Sequence, residues 1–168
     1  MTAVQQSAGL DADAHDVEVI ERFFADGGTF AILRGVCATQ LETLYAQAFN
    51  FYQAGRLEDA LTMFKGLAAL DHYDARAFLG VAATYQALGR YQDALPAYAY
   101  GAMLAPRDPR FSFHAAQCHQ HLGDLKSARS GYEQAQRLAM DSEHAGLADQ
   151  AQVLLEALQQ KEGAGHAS

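Results

Sequence analysis

The chain of 168 residues sets 20 acidic side chains against 12 Lys and Arg, a formal charge of -8. That balance works against nucleic acid and anionic lipid surfaces, whose binding needs Lys and Arg to neutralise phosphates. Hydrophobic residues make up 50% of the chain, yet the mean hydropathy is only -0.15, because 34 residues are Ala against two Ile and six Val. This composition excludes an extended sheet core and favours helices, and the length leaves no room for a second, catalytic domain.

In chain order, residues 1–15 are small and polar and are expected to be disordered. They carry acids where a signal peptide needs positive charge, so export by the general route is not expected. No apolar run approaches the roughly 18 to 20 residues of a membrane span. Residues 16–40 read as an N-terminal helical region, interrupted at Asp26-Gly27-Gly28-Thr29, where Thr29 is placed to cap a short second helix.

From residue 41 the chain repeats itself. Gly55, Gly89 and Gly123 stand 34 residues apart, and Ala60, Ala94 and Ala128 keep the same step. So do Phe64, Tyr98 and Tyr132, and Leu70, Leu104 and Leu138. The glycine supplies the left-handed residue that ends a first helix. The alanine lets two helices approach closely, and the aromatic four residues later fills the space beside it on the same face. Pro106 punctuates the second unit, where the first and third have His72 and Met140. This period resembles the tetratricopeptide pattern and predicts an all-α solenoid of three helix–turn–helix repeats at 41–74, 75–108 and 109–140. In 141–160, Leu147, Ala151, Leu154, Leu155 and Leu158 recur at helical spacing, as in a helix that caps the exposed flank of a stack. Residues 161–168 read as a disordered tail.

In such a stack the first helices line the concave face. The positions expected to face it are Glu42, Tyr45, Phe49 and Tyr52, then Arg76, Leu79, Ala83 and Gln86, then Arg110, Phe113, Gln117 and Gln120. Three aromatics on a face that core packing does not need point to a ligand; the competing reading is that the N-terminal region folds over them as a lid. Tetratricopeptide clamps for a terminal carboxylate use Lys and Asn where this chain has Tyr45, Phe49 and Gly80, so an extended apolar segment is the expected ligand. Three buried anchors at about 1.5 to 3 kcal/mol each, less about 2 to 5 for ordering the segment, predict micromolar affinity or weaker for a short peptide.

Other chemistry is thinner. His114, Cys118 and His121 fall at i, i+4 and i+7, a spacing that suits a soft metal, but no companion cluster offers a fourth ligand, so no metal or cofactor is expected. His119 occupies the column of Phe51 and Tyr85 and is expected to pack as a ring. Cys118 lacks a thiolate-stabilising setting, no phosphate-binding loop is present, and no enzyme is expected. Two cysteines 81 residues apart, Cys37 and Cys118, fit a reducing compartment.

Several phrases are more particular than the repeat: Gly27-Gly-Thr-Phe-Ala-Ile-Leu33, Leu41-Glu-Thr-Leu-Tyr45, Leu70-Asp-His-Tyr-Asp-Ala-Arg76, Tyr98-Ala-Tyr-Gly-Ala102 and Pro109-Arg-Phe-Ser-Phe-His-Ala-Ala-Gln-Cys118. Through them the chain resembles the class II chaperones of bacterial type III secretion systems. The resemblance implies a cytoplasmic chaperone that binds two hydrophobic translocator proteins by an extended N-terminal segment. It implies a binding groove of Tyr45, Phe49, Tyr52, Leu70, His72, Arg76 and Leu79. It also implies a homodimer, when free, through Phe23, Phe24, Ile32 and Leu33. The chain departs from that family's phrase at Ser112 and Gln117. A generic repeat scaffold for a soluble partner is the alternative reading.

Overall fold

The computed structural model describes residues 17–140 and 142–165; the expected disordered stretch at 1–15, and the last three residues of the expected tail, lie outside them. Residues 17–25 form α1. It is followed by α2 (Phe30–Leu33), α3 (Ala38–Gln53), α4 (Leu57–Leu70), α5 (Ala75–Ala87), α6 (Tyr91–Leu104), α7 (Pro109–His121), α8 (Leu125–Ala139) and α9 (Gly146–Gly165). No strand occurs among the described residues. The last helix continues past Gln160 to Gly165, into the stretch expected as tail.

The turn glycines do what their spacing predicts. Gly55, Gly89 and Gly123 have φ of 72°, 73° and 79°. In each turn the glycine N–H bonds back to Tyr52, Gln86 or Gln120, and the next N–H reaches the carbonyl of Phe51, Tyr85 or His119. This pair of bonds closes a helix with a left-handed residue and satisfies carbonyls that would otherwise be orphaned. At the other ends, Asp74 and Asp108 cap α5 and α7 by accepting the backbone N–H of Arg76 and Arg110 at 2.9 and 3.0 Å. Thr29 caps α2 as expected, accepting from the N–H of Ile32 at 3.4 Å.

Packing follows the columns. Ala60, Ala94 and Ala128 are fully buried, and Phe64, Tyr98 and Tyr132 nearly so. A further column in the same step, Ala48, Ala82 and Ala116, is also fully buried and sets the close approach of α3, α5 and α7 to their partners. The fourth expected column is weaker: Leu70, Leu104 and Leu138 are only half-buried, because they lie at helix ends. α9 covers the last unit with Ala151, Leu155 and Leu158, joining Phe113, Ala116 and Tyr132 in one cluster. Consecutive first helices touch one another, α3 with α5 and α5 with α7, which puts them along a shared inner face.

Candidate functional site

The inner face carries two adjoining hollows. The first, about 180 Å3, is walled by Tyr45, Phe49 and Tyr52 from α3 and by Leu79, Gly80 and Ala83 from α5, with Phe64 and Arg110 completing it. Sequence register explains why this end is aromatic. In the second and third units the core tyrosine hydroxyl donates to a glutamine of its own first helix, Tyr98 to Gln86 and Tyr132 to Gln120, both at 2.6 Å. In the first unit the same two columns hold Phe64 and Tyr52. The phenylalanine has no hydroxyl to satisfy, so the neighbouring ring is released to the groove. Gly80 is required there, since a Cβ at that position would collide with the Phe64 ring. Phe49 remains 47% exposed in the open groove.

Charge fixes one rim. Arg76 spans Glu42 and Asp74, at 2.6 and 2.8 Å, and its guanidinium lies over the Tyr45 ring, 5.1 Å from the centroid. Hydrogen bonds to Asp74 and Glu42 raise the Arg76 pKa, and the Arg76 hydrogen bond draws Glu42 below its ordinary value. One repeat on, Arg110 pairs with Asp108 at 2.6 Å. Burial pushes the Asp108 carboxyl up, but hydrogen bonds from Arg110 more than offset it and leave the carboxyl lowered. Burial raises the Tyr45 hydroxyl, which stays protonated at physiological pH.

The second hollow, about 280 Å3, shares Tyr52 and Ala83 with the first and continues over Gln86, Tyr91, Tyr98, His114, Gln117 and His121. His121 stacks on Tyr91 with ring centroids 4.3 Å apart. Thus five of the seven expected binding residues, Tyr45, Phe49, Tyr52, Arg76 and Leu79, meet in one groove.

Leu70 and His72 do not join them. They line a separate depression of about 1040 Å3 between α4 and the N-terminal segment, together with Phe24, Phe30 and Val36. There Phe24 packs on Phe30 and His72 at 5.1 and 6.0 Å, and the Tyr73 hydroxyl donates to the carbonyl of Phe24 at 3.2 Å. The described part of the N-terminal segment therefore docks beside α4 and does not close over the aromatics as a lid. The four residues expected at a dimer contact divide likewise. Phe23 and Phe24 are half-buried against their own chain, whereas Ile32 and Leu33 are 62% and 55% exposed, beside exposed Val17, Ile20 and Phe30.

One expected groove position is corrected. Phe113, placed in the groove by counting along the helix, is buried against Tyr132 with ring centroids 5.7 Å apart, in the cluster that α9 completes. His114, Cys118 and His121 do not converge: Cys118 is fully buried in the core between α6 and α7, while the two histidines face the groove. No cluster able to hold a metal occurs among the described residues. His119 approaches Asp124 at 3.3 Å and stays partly exposed. Burial pushes the Cys118 thiol up to about 11, and Cys37 is exposed. Titration with a colourimetric disulfide reagent at pH 8 is expected to modify one thiol, Cys37, in the native protein and both after denaturation. Rapid native reaction of two thiols would contradict the burial of Cys118.

Fold and groove define a tetratricopeptide solenoid with an aromatic inner face, and a tetratricopeptide-repeat family model matches residues 41–74 and 79–108. Low calcium response locus protein H of Yersinia pestis is 49% identical over 69 residues; the match spans 41% of this chain and 41% of that relative. Solved structures extend the likeness. The type III secretion translocator chaperone SycD of Yersinia enterocolitica is 44% identical, with a TM-score of 0.74 over 77% of this chain and 98% of SycD. An alternative dimer of SycD has also been solved. PcrH, in complex with the chaperone binding region of PopD, is 49% identical, with a TM-score of 0.74 over 76% of this chain and 97% of PcrH. The chain belongs to the type III secretion translocator chaperones.

Proposed function

We propose that this protein is a bacterial cytoplasmic chaperone that holds an extended N-terminal segment of a hydrophobic translocator in its inner groove, keeping two such clients soluble and apart before secretion. The observation that carries this reading is that Tyr45, Phe49 and Tyr52 line one hollow of the inner face together, Tyr45 and Tyr52 half-buried and Phe49 47% exposed. Exposed rings in a concave channel are costly in water unless something covers them. The complex of PcrH with the chaperone binding region of PopD supports a stretch of polypeptide as that cover. The action is occupancy rather than turnover: the acidic chaperone masks apolar surface and lends the complex its charge. When no client is bound, the exposed Ile32 and Leu33 favour self-association through the N-terminal segment.

Co-expression tests the reading. A membrane-seeking translocator from the same genome, insoluble when expressed alone, should become soluble and elute with this chain from a sizing column. A translocator that stays in the pellet beside folded chaperone would exclude the role.

A further inference from the structure

The second hollow has a hydrogen-bonding order that the aromatic pocket lacks. The Tyr98 hydroxyl donates to Gln86 Oε1 at 2.6 Å, and Gln86 Nε2 donates to Gln117 Oε1 at 3.0 Å. His114 Nδ1 lies 3.0 Å from the same Gln117 Oε1. An amide oxygen can only accept, so His114 Nδ1 carries the proton, and in the neutral ring Nε2 is left as a bare acceptor. Burial lowers the pKa of His114 and so favours this neutral form.

Two polar groups then remain unused: the acceptor at His114 Nε2 and the Gln117 Nε2 amine, with its two N–H donors. Among the described residues no buried side-chain nitrogen or oxygen lacks a partner, so these unpaired atoms are reached by solvent, on two residues that line the hollow. No Asp, Glu, Lys or Arg lines the hollow, unlike the neighbouring pocket with Arg110. An acceptor beside a donor, without formal charge, is the complement of a neutral amide, which has one N–H to give and one carbonyl to accept with. Because this hollow shares Tyr52 and Ala83 with the aromatic pocket, a single extended segment can span both.

We infer that His114 and Gln117 form a second subsite of the groove that reads a neutral amide of the bound segment, its N–H donated to His114 Nε2 and its carbonyl accepting from Gln117 Nε2. This rests on the groove being the client site. It adds a register: apolar anchors in the first hollow, then an uncharged, hydrogen-bonded residue in the second. The Tyr98–Gln86–Gln117 chain holds the amide groups in the one orientation that leaves these faces free. A main-chain amide and an Asn or Gln side-chain amide share the required chemistry.

The test uses the full chain and synthetic peptides from the N-terminal region of the translocator that the co-expression experiment finds to be held in solution. One set is N-methylated at one residue at a time, and another has each Asn or Gln replaced by Leu. Calorimetric titration should find one modified position that weakens binding about three- to tenfold to the unaltered chain and makes little difference to His114→Phe, which has no ring nitrogen to accept the N–H. Loss from N-methylation assigns a main-chain amide, and loss from Leu replacement a side-chain amide. The nitrogen-15 shift of His114 Nε2 should move on binding of the unmodified peptide and stay put with the sensitive analogue, a readout that needs no variant. Good binding of unmodified peptide with no such position and no shift change would overturn the subsite while leaving the groove intact. If the unmodified peptide does not bind at all, the groove reading falls, and the subsite with it.

Discussion

Replacing Tyr45 and Phe49 together by alanine is expected to weaken client binding about 100-fold while the protein keeps its helical circular dichroism. Full burial of a large apolar side chain contributes about 1.5 to 3 kcal/mol, so two anchors set a ceiling of roughly 3 to 6 kcal/mol, or 100- to 10,000-fold in Kd. The lower end applies because Tyr45 already packs on Phe64, with ring centroids 5.6 Å apart, and lies under Arg76, so the client covers only its remaining surface. Phe49, 47% exposed, has more to lose on client binding and less to lose in the free protein. Neither side chain belongs to the fully buried set, so the double variant should fold. Met103→Ala is the control: it removes a comparable side chain that is 77% exposed on α6, outside the groove. A folded Tyr45→Ala/Phe49→Ala protein that retains client affinity within a few-fold would place the binding surface elsewhere.

The difference between what the sequence disclosed and what it hid follows from how local each feature is. The turn at Gly89 needs only its own left-handed backbone, and Ala94, five residues on, packs within the same helix pair, so a 34-residue period announces both. The Ala48, Ala82 and Ala116 column was equally legible in that period but is less visible in a chain where alanine is everywhere. The groove was partly legible, since a face count along α3 and α5 reaches Tyr45, Phe49, Tyr52, Arg76 and Leu79 from the 3.6-residue turn alone. Leu70 and His72 came from resemblance, and their place depends on where the N-terminal segment docks, a contact far away in sequence. Phe113 shows the same dependence: its position in the repeat matches Tyr45 and Leu79, but the helix that follows the last unit closes over it. Cys118 sits about 40° around the helix from His114, enough to turn one side chain into the core and leave the other in the groove. The amide order of Tyr98, Gln86, Gln117 and His114 joins two units, and no linear pattern encodes it.

Phe111→Ala is expected to cost about 3 to 5 kcal/mol, the range for emptying a buried phenylalanine site that cannot collapse. Phe111 is buried in the cluster of Ala82, Ala94, Tyr98 and Cys118, where the second unit meets the third. Its ring lies against the bare backbone of Gly101, where even a Cβ would collide, so no flexible side chain is available there to fill the hole. Against a typical total of about 5 to 15 kcal/mol this is a large fraction of the stability. A solenoid, however, distributes stability between neighbouring units, so the loss should act mainly on the α6–α7 junction. Urea unfolding followed by hydrogen exchange should therefore show α7, α8 and α9 losing protection before α3 to α5, where the unaltered chain loses them together. A single cooperative transition shifted by less than about 1 kcal/mol would mean that the two halves do not depend on this ring. Client peptide adds a further discrimination. Tyr45, Phe49 and Tyr52 belong to the first unit and His114 and Gln117 to the third, so a segment occupying both hollows ties the halves together across the weakened junction. Ligand that binds only the folded groove raises its stability by RT ln(1 + [L]/Kd), and in Phe111→Ala that rise should appear as restored protection of α7, the helix on the far side of the missing ring.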